Sequence, residues 1–196
     1  MDIGGGVGIQ LGPIAAGLIA GGLLLMAGYV FSRVRADYRQ RGLLTRQVAV
    51  LQTGYFFIYA LSSYLFLDSR LTAIASKGIL FGLAALLMIT GLSVVLLSMP
   101  FLGQRSFGAE VGKLHTKGIY RFSRNPQLAG SFCFIIGYVL LWPSWTGALW
   151  AAVWLPISYW MIRAEEENLR SVFGKEYEEY CKRTPRFIGI GKQRQG

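Results

Sequence analysis

The apolar residues of this chain form long uninterrupted blocks and do not recur at the spacing of an amphipathic helix. Four blocks contain no Asp, Glu, Lys or Arg: residues 3–32, 47–67, 78–104 and 128–162. Each block is at least as long as the ~20 residues that a membrane-spanning helix needs. The pattern therefore predicts an all-α integral membrane protein.

The last block, residues 128–162, is too long for one crossing. Near its middle, Trp142-Pro143-Ser144-Trp145 combines a proline with a small polar residue, as is typical of a turn. We interpret this block as a hairpin of two helices. The chain is then a single membrane domain, 1–196, with about five transmembrane helices and a cytoplasmic C-terminal helix. The transmembrane helices are predicted at residues 12–32, 47–67, 78–99, 128–142 and 145–163.

The distribution of basic residues predicts how these helices are oriented, because Lys and Arg accumulate in short cytoplasmic loops. Residues 33–46 contain five basic residues, 105–127 contain five, and the tail from Arg163 contains eight, whereas 68–77 contain two. No basic residue precedes Arg33. Five helices with the N-terminus outside place the basic segments in the cytoplasm. The C-terminus and the polar segments are therefore predicted to be cytoplasmic.

The net charge of +10 raises the question of a nucleic-acid partner. The basic residues flank membrane spans instead of forming one stripe, so anionic lipid headgroups are the expected partners and no nucleic acid is. Cys133 lies in an apolar helix and Cys181 in the tail, so neither a disulfide nor a metal site is expected. The glycine-rich N-terminus, residues 4–8, lacks the third glycine of a dinucleotide-binding loop.

Small residues at helical spacing are expected to let transmembrane helices approach one another closely. Gly17 with Gly21, and Gly78 with Gly82, have this spacing. We therefore expect packing contacts inside the bundle at both pairs.

Polar side chains are concentrated in two predicted cytoplasmic segments, residues 103–127 and 163–187. Because a hairpin returns the chain to the membrane face from which it started, the two segments should become neighbours. A composite site at the membrane surface requires such an arrangement.

The motifs of these two segments resemble those of one enzyme superfamily. The first segment includes Gly118-Ile119-Tyr120, Arg124-Asn125-Pro126 and Gly130, and the second includes Glu165-Glu166, Leu169, Phe173-Gly174, Tyr177 and Tyr180. Their order and spacing resemble the pattern G-x-Y-x-x-x-R-H-P-x-Y-x-G, a helical hairpin, and then E-E-x-x-L-x-x-x-F-G-x-x-Y-x-x-Y. This pattern is that of the isoprenylcysteine carboxyl methyltransferase and phospholipid N-methyltransferase superfamily. The resemblance covers residues 103–187.

The resemblance implies S-adenosylmethionine as cofactor and methyl transfer to a lipophilic acceptor in the membrane. It also implies that one set of residues contacts the cofactor: Gly112, Lys113, Leu114, His115, Tyr120, Asn125, Pro126, Gln127, Leu128 and Glu165. Two of them depart from the family pattern, since Asn125 replaces a histidine and Leu128 a tyrosine. Asparagine keeps a hydrogen-bond donor and acceptor, whereas leucine keeps only the apolar body.

The residue types agree with such a cofactor on physical grounds. A sulfonium ion with an amino-acid tail and an adenine requires a carboxylate, polar groups and apolar walls. Glu165, Asn125, Gln127, Tyr120 and Leu114 supply these types. Positioning is then the main source of rate, and neither a metal ion nor a covalent nucleophile is implied.

Helical geometry distinguishes Glu165 from Glu167, because the two side chains lie about 200° apart. Glu165 shares a face with Leu169 and Phe173 and is predicted to point toward the protein, whereas Glu167 points away. The competing interpretation is that Glu165, Glu166 and Glu167 form a solvated helical face.

The acceptor is open at this point. In the carboxyl-methylating branch, an arginine four residues before the cofactor glutamate is implied to hold the substrate carboxylate, but Met161 occupies that position. Arg163, the substrate-side candidate, lies about 200° from Met161 around the helix. A lipid amine, a thiol and a prenylcysteine-like carboxylate stay open, as does the group that acts as a base.

Two other classes of function are weighed against methyl transfer. The first is a membrane sterol-type reductase that uses NADPH, whose motif has Asn-Tyr-x-Gly and then an acid. Here Pro126 follows Asn125 and Ser131 follows Gly130, which disfavours a reductase. The second is a non-enzymatic channel, transporter or scaffold. The absence of Asp, Glu, Lys and Arg from the four long apolar blocks disfavours a translocation pathway.

Overall fold

A computed structural model of the chain describes residues 11–67, 77–106 and 114–187, with the backbone alone described for residues 99–106. This part of the chain is helical and contains no strand. The helices are α1 (Pro13–Arg41), α2 (Arg46–Phe66), α3 (Gly78–Ser106), α4 (Pro126–Leu141), α5 (Trp145–Phe173) and α6 (Lys175–Arg183). A short 3₁₀ helix, Gly118–Arg121, precedes α4.

The predicted class, an all-α integral membrane protein, is confirmed. In the described ranges, three helices are long and apolar enough to cross a membrane: α1, α2 and the segment Gly78–Ser98 of α3. Large apolar side chains are exposed on their outer surfaces, among them Leu18, Leu25, Phe57, Ile79 and Leu86. Because exposing a continuous apolar surface of this size to water is unfavourable, these faces contact lipid.

The predicted hairpin is α4 and α5, which are joined by residues 142–144. Its first arm has 16 residues, or about 24 Å at 1.5 Å per residue, which is shorter than the ~30 Å hydrocarbon core. The second arm has 29 residues and continues into the charged segment that begins at Arg163. The five-span topology stays a prediction.

Several helices extend beyond the predicted spans at the end where the basic residues lie. α1 continues to Arg41 and α5 to Phe173, because Arg and Glu are good helix formers and only the bilayer-crossing part must be apolar. Gly42, with φ of 69°, ends α1, and its N–H donates to the carbonyl of Tyr38 at 2.9 Å. The turn to α2 is held by Asp37, whose carboxylate accepts from the Thr45 N–H at 2.8 Å and from its hydroxyl at 2.6 Å.

The bundle has two packing units. α5 packs on α1 and α2, α4 packs along α3, and the two units meet where α4 contacts α5. The contact of α3 with α4 is a backbone approach at glycines: a Cβ on Gly91 would lie 2.5 Å from the carbonyl oxygen of Gly130, and one on Gly137 would lie 2.7 Å from that of Ala84. The motif glycine Gly130 therefore has a packing role.

The expectation that Gly17 with Gly21, and Gly78 with Gly82, mark close helix contacts is wrong. A Cβ on any of these four glycines would meet nothing within 4 Å. Spacing along one helix does not show which face is turned toward a neighbour, and these faces are turned toward open space.

We predict that Gly91→Ala destabilises the protein by about 1 to 3 kcal/mol, because the added methyl group overpacks a backbone contact. The matched control is Gly82→Ala on the same helix, where open space should make the change neutral or slightly stabilising. Thermal unfolding in detergent, followed by circular dichroism, measures both. Equal stability of the two variants would contradict the packing assigned to α3 and α4.

Candidate functional site

The hairpin brings the two polar segments together, as the sequence predicts. Residues 123–125, just before α4, form hydrogen bonds with the tail after α6. The Arg124 N–H donates to the Pro185 carbonyl at 2.9 Å, and the Asn125 side-chain amide donates to the Arg186 carbonyl at 3.1 Å. The N-terminal end of α4 is thereby fixed against the C-terminal tail.

Glu166 lies at the centre of this junction and is 2% exposed. Its Oε1 is 2.9 Å from Nη1 of Arg124, and its Oε2 is 2.7 Å from Nη2 of Arg186. Arg170, one turn later on α5, approaches Oε2 at 3.6 Å. The carboxylate therefore joins the start of α4, the end of α5 and the tail.

The electrostatics of this cluster follow from its composition, which is one carboxylate, that of Glu166, and three arginines. A hydrogen bond from Arg186 to Glu166 raises the pKa of that guanidinium above its ordinary value. Burial, and then the nearby charge of Glu166, raise the pKa of Tyr177, which keeps its phenol neutral. Arg124 also donates to Sγ of Cys181 at 2.8 Å. The cluster thus sets one acidic side chain among three basic ones.

Glu167 makes a separate contact on another face of α5. Its Oε2 is 3.0 Å from Nε of Arg35, and its Oε1 accepts from Nη2 of Arg39 at 2.6 Å. Asn168 donates to the Gly42 carbonyl at 3.3 Å. These contacts fasten the end of α1 to α5, and they are more exposed than the Glu166 cluster, since the Glu167 side chain is 40% exposed.

α6 is held by a small apolar cluster of Leu114, Tyr177 and Tyr180, each at most 5% exposed. The Tyr180 hydroxyl donates to the Tyr120 carbonyl at 2.6 Å. Tyr177 and Tyr180, three residues apart, thus share a face of α6 and pack it against Leu114. The packing orders the segment that leads from Leu114 into the 3₁₀ helix.

A cavity of about 540 Å³ lies between the helices of the two packing units. Its polar groups lie near the ends of the helices at which the charged clusters are found. They are Tyr38, Gln52, Thr53, Gln127, Ser131 and Glu165. Further along α2, α4 and α5 the lining is apolar and aromatic, with Phe56, Tyr59, Phe134, Ile135, Trp150 and Trp154. The cavity thus has a polar end and an apolar interior.

Three of the predicted cofactor residues line this cavity: Gln127, Leu128 and Glu165. Glu165 is half-buried there, while Glu167 is occupied with arginines on another face. The positions agree with the predicted division between the two glutamates. Their roles toward a cofactor stay predictions.

The other predicted residues lie beside the cavity or outside the described ranges. Leu114, Tyr120, Asn125 and Pro126 are buried in the packing of the loop and tail, and His115 is half-buried next to them. Gly112 and Lys113 fall outside the described residues. Arg163 is exposed, with its guanidinium carbon 5.9 Å from the ring centre of Tyr159. The geometry does not bring Arg163 to the cavity wall.

Sequence reasoning missed part of the cavity and the central cluster. Tyr38, Gln52 and Thr53 come from α1 and α2, which carry none of the motifs, so only the three-dimensional packing reveals them. Glu166 was grouped with its neighbours in a glutamate run. Nothing in the run of three glutamates distinguishes Glu166, because its arginine partners Arg124 and Arg186 come close only through the fold.

Two residues that line the cavity have a buried polar atom without a hydrogen-bond partner among the described residues. They are Gln127, through Oε1, and Trp154, through its indole N–H. Because buried polar atoms in native proteins are nearly always paired, the first can accept a hydrogen bond from water or a ligand and the second can donate one.

We predict that Glu166→Gln destabilises the fold by about 3 kcal/mol, because it leaves Arg124 buried without its counter-charge. The matched control, Glu167→Gln, should cost under about 1 kcal/mol, since its ion pairs are exposed to solvent. Thermal unfolding in detergent measures the difference. If Glu167→Gln lowered the unfolding temperature as much as Glu166→Gln, the central role assigned to the buried cluster would be contradicted.

Comparison with known proteins agrees with the architecture of this region. A family model described as phospholipid methyltransferase matches residues 78–176, from the start of α3 to the beginning of α6, which is half of the chain. No curated protein and no solved structure gives a match. The chain therefore belongs to the phospholipid methyltransferase family.

Proposed function

We propose that the protein transfers a methyl group from S-adenosylmethionine to a lipophilic acceptor dissolved in the membrane. The observation that supports this most directly is the cavity, which joins a carboxylate and amide groups at one end to an aromatic interior at the other. A polar cofactor and an apolar acceptor can meet in such a space. Membership of the methyltransferase family supports the reaction type.

The residues at the polar end fit the cofactor. The volume of about 540 Å³ lies within the range of small-molecule sites. Glu165 supplies a negative charge for a sulfonium or ammonium group, and Gln127 supplies the buried oxygen that needs a donor. Leu128 and Met161 supply apolar wall.

The chemistry divides simply between ligand and protein. When bound, S-adenosylmethionine supplies an electrophilic methyl group, and its transfer to the acceptor's lone pair breaks the sulfur–methyl bond to leave S-adenosylhomocysteine. The protein's side chains hold the reactants in line and exclude water, which for such a displacement is the main source of rate. An amine acceptor held as an ammonium group would first lose one proton to solvent, which exposes the attacking lone pair, and a thiol acceptor would lose its proton likewise.

The shape of the bundle supports entry of the acceptor from the bilayer. α2 packs on α1 and α5, and α3 packs on α4, while in the described ranges α2 makes no extensive contact with α3 or α4. All three of these helices nevertheless line the cavity. Thr53, Ala60 and Leu92, which border this gap, are exposed on the lipid-facing side. An apolar molecule can then reach the cavity without crossing water.

The charge of the wall favours an amine as the acceptor. Met161, at the position where an arginine would hold a carboxylate, is 7% exposed and lines the cavity, and Arg163 is turned away from it. The acid on the described wall is Glu165, which would repel a substrate carboxylate and attract an ammonium group. We therefore propose that the acceptor is a lipid amine and not a prenylcysteine-like carboxylate.

We predict that Glu165→Gln weakens binding of S-adenosylhomocysteine at least about tenfold, because a charge-assisted partner at a partly buried site contributes roughly 1.5 to 3 kcal/mol. Glu167→Gln, two residues away on another face, should change the affinity little. Calorimetry on the folded, detergent-solubilised protein measures both.

Equal effects of the two substitutions would contradict the assigned face of α5. Binding of NADPH with no heat from S-adenosylhomocysteine would instead support a reductase. The acceptor is identified by incubating native membrane lipids with the protein and methyl-labelled S-adenosylmethionine. Mass spectrometry should find the label on amine-containing lipids, and label on a carboxylate would overturn the amine assignment.

We propose that the polar end of the cavity and the C-terminus lie in the cytoplasm and that the N-terminus and the hairpin turn lie outside. Replacing Cys133 and Cys181 and introducing either Trp145→Cys or Lys182→Cys places a single thiol at an exposed site of the turn or of α6. An impermeant maleimide should label the first variant in intact cells and the second only after permeabilisation. The reverse pattern would invert the topology.

A further inference from the structure

The apolar interior of the cavity ends at a pair of stacked aromatic rings. Tyr59 on α2 and Trp150 on α5 have ring centres 4.8 Å apart and planes inclined by 11°. Trp150 is the cavity-lining residue of α5 furthest along the helix from Glu165. The two side chains are 3% and 4% exposed, so they form a wall and not a passage.

Hydrogen bonds fix this pair in place. The Tyr59 hydroxyl donates to the Trp150 carbonyl at 2.9 Å. The Trp150 indole N–H donates to the Tyr59 carbonyl at 3.2 Å and to the Ser62 hydroxyl at 3.0 Å. Rotating either ring would break buried hydrogen bonds, which is costly in an apolar environment.

Further rings support the pair from behind and from the side. The Tyr138 ring on α4 meets Trp150 edge-on at 6.1 Å, and the Trp154 ring lies 5.3 Å from Tyr59. An apolar chain that stays inside the cavity, and does not leave through the lipid-facing gap, therefore meets a stiff aromatic surface at this end. A soft aliphatic wall would deform around a longer chain, whereas this surface resists it.

The distance from the polar end to this surface is set by one helix. Glu165 and Trp150 are fifteen residues apart on α5, or about 22 Å at 1.5 Å per residue. A molecule whose reactive group lies near Glu165 must fit its apolar chain into what remains of this length.

We propose that the Tyr59–Trp150 pair is a length stop that limits how long an apolar chain of the acceptor can be accommodated. This inference rests on the proposed methyl transfer, because it takes the reactive group to lie at the polar end. Each methylene buried before the stop should raise affinity about fourfold, and methylenes beyond it should add nothing or weaken binding.

Native mass spectrometry of the detergent-solubilised full chain can test this with a mixture of lysophosphatidylethanolamines that differ only in acyl-chain length. The relative abundance of bound species should rise with chain length to a cut-off. Trp150→Leu removes the indole wall and should move the cut-off to longer chains by several methylenes. Ile135→Phe adds volume to the buried α4 wall and should move it to shorter chains, which gives a second test should Trp150→Leu fail to fold.

The matched control is Trp145→Leu, at the start of the same helix, where the side chain is 55% exposed and does not line the cavity. It should leave the cut-off unchanged. An unchanged cut-off in both Trp150→Leu and Ile135→Phe, or equal shifts in the control, would overturn the length stop. So would the absence of any bound lysolipid. Calorimetry with S-adenosylhomocysteine on the same samples reports separately on the cofactor site, so the length stop can fail while methyl transfer stands.

Discussion

The buried carboxylate of Glu166 is the interaction on which the rest of the site depends. Taking a carboxylate out of water is expensive, and removing one partner of such a pair leaves an uncompensated charge that strongly destabilises a protein. Here two partners come from places that are distant in sequence, Arg124 before α4 and Arg186 in the tail, while Arg170 lies one turn further along α5. The cluster is complete only when the hairpin has closed and the tail has returned.

Three consecutive glutamates acquire different surroundings because a helix turns by about 100° per residue. Glu166 faces the arginine cluster, Glu167 faces Arg35 and Arg39 of α1, and Glu165 faces the cavity. One short stretch of α5 therefore holds the tail on one side and α1 on another while presenting a carboxylate to the cavity. A one-residue shift of this stretch would bring Ala164 or Asn168 into one of the three sites and so remove its carboxylate.

The sequence carries enough information for the membrane class, the hairpin and the proximity of the two polar segments. These features can be predicted because each depends on residues that are close together in the sequence. They are the long uncharged blocks, the Trp142-Pro143-Ser144-Trp145 turn and the motifs on either side of it. Glycine spacing failed, because which face of a helix meets a neighbour is decided by tertiary packing: Gly17 and Gly82 face open space while Gly91 meets Gly130. The walls contributed by Tyr38 and Gln52 could not be predicted, since residues from helices without motifs join the cavity only through the fold.

The two packing units give the cavity rigid walls and leave a gap on its lipid-facing side. Backbone contacts at Gly91, Gly130 and Gly137 hold α3 and α4 at close range, and aromatic contacts with buried hydrogen bonds hold α2 to α5. Between the units the described packing is sparse along α2, and the cavity lies there. The two units are joined beside this gap by the packing of α4 on α5, including the contact between the Tyr138 and Trp150 rings. In the proposed reaction, the lipid-facing side would admit an apolar chain while the charged cluster keeps Glu165 and Gln127 fixed relative to one another, and fixed groups are what an in-line displacement requires.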